Sequence, residues 1–253
     1  MAQLPTCLLK TLMRLDVYLA ESGLADSRTD AKNFILAGAV QVNGNIVNKP
    51  SYEVFGDETF IVDRSSKKYV SRGGVKLECA LDAFSVDPSG KYALDIGASS
   101  GGFTDCLLKR GASHVIAVDS GFGQLVESLR KDKRVTTIEN YNARYMKSED
   151  FAYTPNLVVM DVSFISAKLI FPAVANIISA DADYICLIKP QFEVGRSGLN
   201  KKGIVKNEQL RNNAVENVVE GAACCGFHLH GLIESPIMGG DGNIEFLAHF
   251  KRQ

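Results

Sequence analysis

The chain has 253 residues, 46% of them hydrophobic and 23% charged, a balance that belongs to a folded globular protein and excludes a disordered tail. A formal net charge of −1 excludes a protein that coats nucleic acid indiscriminately, so any affinity for RNA must come from local basic clusters. No apolar run reaches the ~18 residues of a membrane span, and the apolar stretch within 1–11 lacks a small-residue cleavage site.

In chain order, Leu15, Tyr18 and Leu19 share one helical face, and Gly23 stands where a helix stops. Ser27-Arg28-Thr29-Asp30 reads as a capping box for a second helix that buries Ala31, Phe34 and Ile35 and ends at Gly38. Asn43-Gly44 between Ala39–Val42 and Asn45–Val47 is a hairpin signal, and Thr59–Val62 is a further strand. These elements predict a small α+β unit over 13–63. From Arg64 to Lys76 there are five basic residues and no acidic one, which places an interdomain linker at 64–72. Residues 73–253 then alternate strands and helices. The strands are Ala93–Ile96, His114–Val118, Leu157–Met160, Tyr184–Ile188, Phe227–Glu234 and Ile244–Phe250; helices run from Phe103, from Gly123, near Lys168–Ile178 and over Gln209–Ala223. Such alternation predicts an α/β domain with a mostly parallel sheet, which binds ligands beyond the carboxyl ends of its strands. The six cysteines (Cys7, Cys79, Cys106, Cys186, Cys224, Cys225) show no zinc spacing. Most sit in apolar runs, so buried free thiols and a reducing cytoplasm are expected; no metal site is predicted.

The turn from the first of these strands into its helix is Asp95-Ile96-Gly97-Ala98-Ser99-Ser100-Gly101-Gly102-Phe103. Glycines there permit tight turning and close approach of a ligand to backbone. About twenty residues on, Asp119 ends a strand where a carboxylate can hold both ribose hydroxyls, so the pair points to an adenosine-containing cofactor. Ser99 replaces the second glycine of a dinucleotide fingerprint, and Asp95 precedes the loop. A carboxylate there suits the sulfonium and amino group of S-adenosylmethionine better than a diphosphate. A nucleotide or a plain tight turn is the alternative.

Four charged residues converge on the same edge. Asp161 and Lys189 follow strands, Glu245 lies near the start of the last one, and Lys76 sits on the helix leading into the sheet. A charge at a strand end is often merely solvated; four at the ligand edge ask for a function.

The order Lys76, Asp161, Lys189, Glu245 resembles the Lys-Asp-Lys-Glu tetrad of FtsJ-like ribose 2′-O-methyltransferases. Ser71–Leu77, Met160–Ser166 and Leu187–Glu193 are similar to the corresponding stretches of the hemolysin-A-like (TlyA) ribosomal RNA methyltransferases. Arg14-Leu15-Asp16, Ser27-Arg28, Val40–Gly44 and Lys49-Pro50 resemble the S4 RNA-binding module that precedes that domain. The resemblance, which covers nearly the whole chain from Met13, implies a Rossmann-like class I methyltransferase domain behind an S4 module, with S-adenosylmethionine as cofactor. It implies methylation of a cytidine ribose in ribosomal RNA, so ribosomal RNA or a ribosomal subunit is the expected partner. By the same resemblance Lys76, Asp161, Lys189 and Glu245 are the catalytic set; Asp95, Gly97, Ser99, Gly101, Gly102, Phe103 and Asp119 bind the cofactor. The linker departs from the family pattern: an Arg-x-Trp-Val tetrapeptide is replaced by Lys67-Lys68-Tyr69-Val70.

RNA contacts are expected from Arg14, Arg28, Lys32 and Lys49 on the S4 module and from Lys67, Lys68 and Arg72 in the linker. A loop with Arg196, Lys201, Lys202, Lys206 and three glycines is expected to clamp phosphates as well, a solvated glycine-rich loop being the alternative, and Phe164 or Phe192 is the expected stacking surface for an outturned base. Lys189 acts either as the base for the 2′-OH, which needs its pKa brought down from ~10.4, or as a retained charge beside the developing alkoxide. Amino-group methylation is disfavoured because Asp161-Val162-Ser163-Phe164 lacks the Pro-Pro-aromatic run. Carbon-5 methylation is disfavoured because Cys186 falls within a strand. The rival readings are a non-enzymatic S4-type RNA-binding or assembly factor and, on the hemolysin name, a pore; no spanning helix or barrel pattern supports the latter.

Overall fold

The computed structural model describes residues 12–36, 38–63, 68–239 and 242–252. The chain divides into two compact units, 1–68 and 69–253. Cys7 and Lys67 lie outside the described residues.

In the first unit, β1 (Met13–Arg14) pairs antiparallel with β4 (Glu53–Val54), and α1 (Leu15–Glu21) packs on α2 (Arg28–Leu36). The hairpin forms as the Asn43-Gly44 turn predicts: β2 (Val40–Val42) pairs with β3 (Asn45–Ile46), and β5 (Phe60–Val62) joins the other side of β2. Leu15, Leu19, Ala31, Phe34, Ile35 and Val40 are buried between helices and strands. Ser27 caps α2 by accepting the Asp30 amide at 3.1 Å, while the Asp30 carboxylate reaches back to Asp26 instead of Ser27.

The second unit is built on a seven-stranded sheet. Its elements are α3 (Gly73–Ala83), β6 (Tyr92–Ile96), α4 (Gly102–Lys109), β7 (His114–Val118), α5 (Glu127–Arg130), β8 (Val135–Ile138), β9 (Leu157–Met160) and α6 (Phe171–Ala175). After them come β10 (Asp183–Ile188), α7 (Pro190–Glu193), α8 (Glu208–Ala223), β11 (Phe227–Glu234) and β12 (Phe246–Arg252). The strand order is β11-β12-β10-β9-β6-β7-β8, parallel except for β12, which runs antiparallel to both neighbours. Strands covered on both faces need apolar side chains at every position, which is why Leu157–Met160 and Tyr184–Ile188 are unbroken apolar runs. Leu94, Ile96, Val158, Met160 and Tyr184 face α6 and α8; Ala93, Val159, Ile185 and Leu187 face α3 and α4. Asp95, by the same two-residue period, points toward α4.

Several elements differ from their sequence expectation. β8 carries no strong apolar run: Val135-Thr136-Thr137-Ile138 is a partly exposed edge strand that follows a charged stretch. The helix expected from Gly123 shortens to the single turn of α5. The one near 168–178 breaks into a 3₁₀ turn at Ala167–Leu169 and a restart at Phe171, because Pro172 has no amide to continue the ladder. The thiols also need correction: Cys106 and Cys186 are buried, but Cys79 and Cys225 are half-buried and Cys224 is exposed. Cys224 and Cys225 follow the last turn of α8, beyond the face that buries Val218 and Ala222. No described helix is long and apolar enough to cross a membrane, and no described cluster of side chains could hold a metal ion.

Candidate active site

β6 ends at Ile96 beside Val118 and Met160, so the turns after β6, β7 and β9 open on one edge of the sheet. Gly97 takes φ +83°, and its amide donates to the Val118 carbonyl at 2.8 Å. A β-carbon at Gly97 would lie well under 3.0 Å from the Asp161 carbonyl, so glycine is what lets the first turn lie against the third. Asp119 is held open at the tip of β7 by two backbone donors: Ser99 N–H to Oδ2 at 2.8 Å and Gly121 N–H to Oδ1 at 2.7 Å. Gly97, Ser99, Asp119 and Asp161 line a cleft of about 400 Å³, which Asn142 and Ala143 complete from the turn after β8.

The other predicted cofactor residues stand behind that lining. Phe103 is buried against Gly73, and Gly101 takes φ +97° to begin α4. Asp95 is fully buried; its Oδ2 accepts the Thr104 hydroxyl at 2.6 Å and its Oδ1 has no partner. Burial pushes its pKa up to about 7, repulsion from Asp161 and Asp119 adds to the rise, and the Thr104 hydrogen bonds oppose it. A raised carboxyl retains in the folded chain a proton that the unfolded chain has released. Its stabilising contribution is therefore full below the ordinary value of about 3.9 and is lost as pH rises toward about 7. The melting temperature of ligand-free protein, taken as wild type minus Asp95→Asn, is expected to fall from about pH 5 to about pH 8. A pH-independent difference would remove Asp95 as the titrating group.

Asp95 Oδ1 and Gln191 Oε1 are buried acceptors near this edge without a hydrogen bond, and the carboxylates of Asp119 and Asp161 stand on the cleft wall itself. Acceptors in want of donors fit a ligand that carries positive charge and N–H or O–H groups, such as the amino group, sulfonium and ribose of S-adenosylmethionine, and do not fit a diphosphate.

The four charged residues arrive as two ion pairs. Lys189 Nζ lies 2.6 Å from Asp161 Oδ1 and donates to Ser163 Oγ at 2.8 Å. Lys76, 7% exposed in the first turn of α3, is paired with the buried Glu245, whose Oε1 also accepts Gln191 Nε2 at 3.0 Å. β10 and β12 explain the meeting: Ile188 is opposite Phe246, so Lys189 and Glu245 are the next residues on facing strands. Asp161 belongs to both the cleft and the charged tetrad, and so joins the two.

The described basic residues predicted for RNA sit at the surface of their units. Arg14 and Arg28 each place Nε 2.9 Å from a different oxygen of the fully buried Asp16, which fixes both guanidinium groups while leaving them partly exposed. Lys32, Lys49, Lys68 and Arg72 are exposed, as are Arg196, Lys201, Lys202 and Lys206. Tyr69, in contrast, is buried: its hydroxyl donates to Glu78 at 2.9 Å, and its ring fills the space a side chain at Gly74 would need.

Sequence reasoning missed Asn142, Ala143, Ser120 and Gln124 on the cleft wall and Gln191 beside the tetrad. The first two follow β8, and recognising that strand would have marked its tip as ligand-facing. Gln191 lies in the stretch Leu187–Glu193, but nothing local marks its partner, which is 54 positions away.

A parallel sheet with one inserted antiparallel strand, a glycine turn facing the Asp119 carboxylate and a cleft walled by Asp119 and Asp161 define an S-adenosylmethionine-dependent methyltransferase. The FtsJ-like methyltransferase family matches residues 69–252, and the S4 domain matches residues 13–58. The chain belongs to the FtsJ-like methyltransferase family and carries an S4 domain ahead of the catalytic one. It is 45% identical to YqxC of Bacillus subtilis, over 93% of this chain and 84% of that protein. It is 43% identical to the 16S/23S rRNA (cytidine-2′-O)-methyltransferase TlyA of Mycobacterium tuberculosis, over 95% of this chain and 90% of that one. A solved structure of a hemolysin-like protein from Streptococcus thermophilus superposes with a TM-score of 0.77 at 42% identity, covering 96% of this chain and 90% of the other.

Proposed function

We propose that this protein transfers a methyl group to the ribose 2′-OH of a cytidine in ribosomal RNA, in the cytoplasm. The observation that carries the reading is the pair of lysine–carboxylate contacts, Lys189–Asp161 and Lys76–Glu245, at the sheet edge where Asp161 also lines the cleft. Gly97, Ser99 and Asp119 bound the adenosine side, with Asn142 and Ala143 opposite, and the buried Asp95 carboxyl stands behind the loop. The chemistry supplied there is that of an electrophilic sulfonium methyl.

The chain's own residues have two tasks. Lys189, fixed between Asp161 and Ser163, meets the 2′-oxygen and either takes its proton or neutralises the charge that develops on it. Lys76, Glu245 and Gln191 form a second hydrogen-bonded set that closes the other side of the site. Phe164, 91% exposed and 5.1 Å from the Phe192 ring, offers a stacking face to a base turned out of its helix. Residues 13–63 with Arg14, Arg28, Lys32 and Lys49, and the basic segment 64–72 that joins them to 73–253, bind the RNA backbone.

Mapping 2′-O-methylation on ribosomal RNA from a deletion strain tests the reading. One or more cytidine marks should vanish and return on complementation. An unchanged map would leave an S4-type RNA-binding or assembly factor as the better description.

A further inference from the structure

Phe164 occupies φ +63°, a region bulky residues rarely enter, although its ring makes little contact that would reward the strain. Such a conformation persists only where its surroundings over-determine it. Here the short helix α7 does so. Lys189, which caps it, donates to Ser163 just before Phe164; Phe192 packs against the Phe164 ring. Glu193 grips the far side with both oxygens: Oε2 accepts the Ser166 hydroxyl at 2.6 Å, and Oε1 accepts the Ala167 amide at 2.8 Å. That amide opens the 3₁₀ turn Ala167–Leu169, so one carboxylate satisfies the start of the turn and ties the loop after β9 to the helix after β10. Glu193 is not on the cleft wall and makes no contact with Asp161, Lys189, Lys76 or Glu245 among the hydrogen bonds and ion pairs of the site.

We propose that Glu193 is a positioning residue for methyl transfer: by bridging α7 to Ser166 and Ala167 it holds the 161–167 loop in the one shape that presents Phe164 to the target base and Ser163 to Lys189. This rests on the reading of Phe164 as the stacking surface. Loss of the bridge lets the loop relax, which lowers the rate of the chemical step more than it weakens donor binding.

The test is single-turnover methyl transfer, at saturating enzyme and donor, to ribosomal RNA from a strain lacking the protein. Glu193→Ala is expected to slow the reaction by about tenfold or more, the loss expected when charge-assisted hydrogen bonds are removed. Glu193→Gln should recover to within about threefold, since its amide oxygen can accept from Ala167 and its amide N–H can donate to Ser166 Oγ. Phe164→Ala combined with Glu193→Ala should be no slower than about threefold below the slower single variant, because both act through one loop. Glu193→Ala within about threefold of wild type while Phe164→Ala is slow overturns the proposal, and so do losses that multiply in the double variant. Phe164→Ala at the wild-type rate ends the stacking reading alone; the Glu193→Ala and Glu193→Gln rates still decide whether the bridge matters. If Glu193→Ala does not fold, Ser166→Ala spares the carboxylate and removes one of its two bonds, together with the Lys168 amide contact to Ser166 Oγ that caps the same turn. A rate about threefold lower is then expected, and a wild-type rate overturns the proposal.

Discussion

Lys189→Ala is expected to slow methyl transfer by about 10²- to 10⁴-fold, the range over which a positioned proton-transfer group contributes. Its ammonium sits 2.6 Å from Asp161 and 2.8 Å from Ser163, and it is outside the lining of the donor cleft. Donor affinity by calorimetry and RNA affinity by filter binding should therefore stay within about threefold. Lys189→Arg should not rescue, because a planar guanidinium cannot put one donor where a tetrahedral ammonium stood between a carboxylate and a hydroxyl. Single-turnover rates from about pH 6 to about pH 9 then separate the two roles open to the residue: an ascending limb that Lys189→Ala abolishes marks a base. A variant that methylates at a wild-type rate would remove Lys189 from the chemistry altogether.

Gly97→Ala should have a comparably large effect, on both stability and activity. The residue combines φ +83° with a backbone carbonyl, that of Asp161, in the place a β-carbon would occupy. Left-handed backbone costs a non-glycine residue ~1–2 kcal/mol. Overpacking against a group that cannot rotate away adds ~1–3 kcal/mol. A loss of about 2 to 5 kcal/mol is expected by denaturant unfolding, and the displaced Asp161 should abolish methyl transfer even where the variant is folded. Gly90→Ala is the control, because Gly90 shares the left-handed backbone at φ +73° but has nothing within 4 Å of a β-carbon. It should lose only the strain contribution. Equal losses at the two positions would show that the Asp161 approach is unimportant.

Much of this site was legible in the sequence because its parts sit where regular elements end. The run Leu157–Met160 is apolar at four consecutive positions, so Asp161 had to lie at the end of a strand, and the same logic placed Lys189 after Tyr184–Ile188. Asn43-Gly44 demanded a hairpin, and the hairpin formed in that register. β8 was not legible, since half-exposed Val-Thr-Thr-Ile beside a charged stretch has no distinctive period, and with it went Asn142 and Ala143. The cysteines misled for a related reason: an apolar neighbourhood in sequence does not say which side of the helix end Cys224 and Cys225 leave from.

Sequence by itself determined the order of elements, the glycine turn with its two aspartates and the presence of four charged residues bound for one edge. These are local matters, settled by the period of apolar side chains and by backbone conformations open only to a few residue types. Tertiary structure alone decided who meets whom: Lys76 with Glu245 across 169 residues, Lys189 with Asp161 and not with Glu245, Glu193 with Ser166 and Ala167. Such pairings depend on strand register and on which helix packs over which turn, and a charged side chain carries no local mark of the partner it will find.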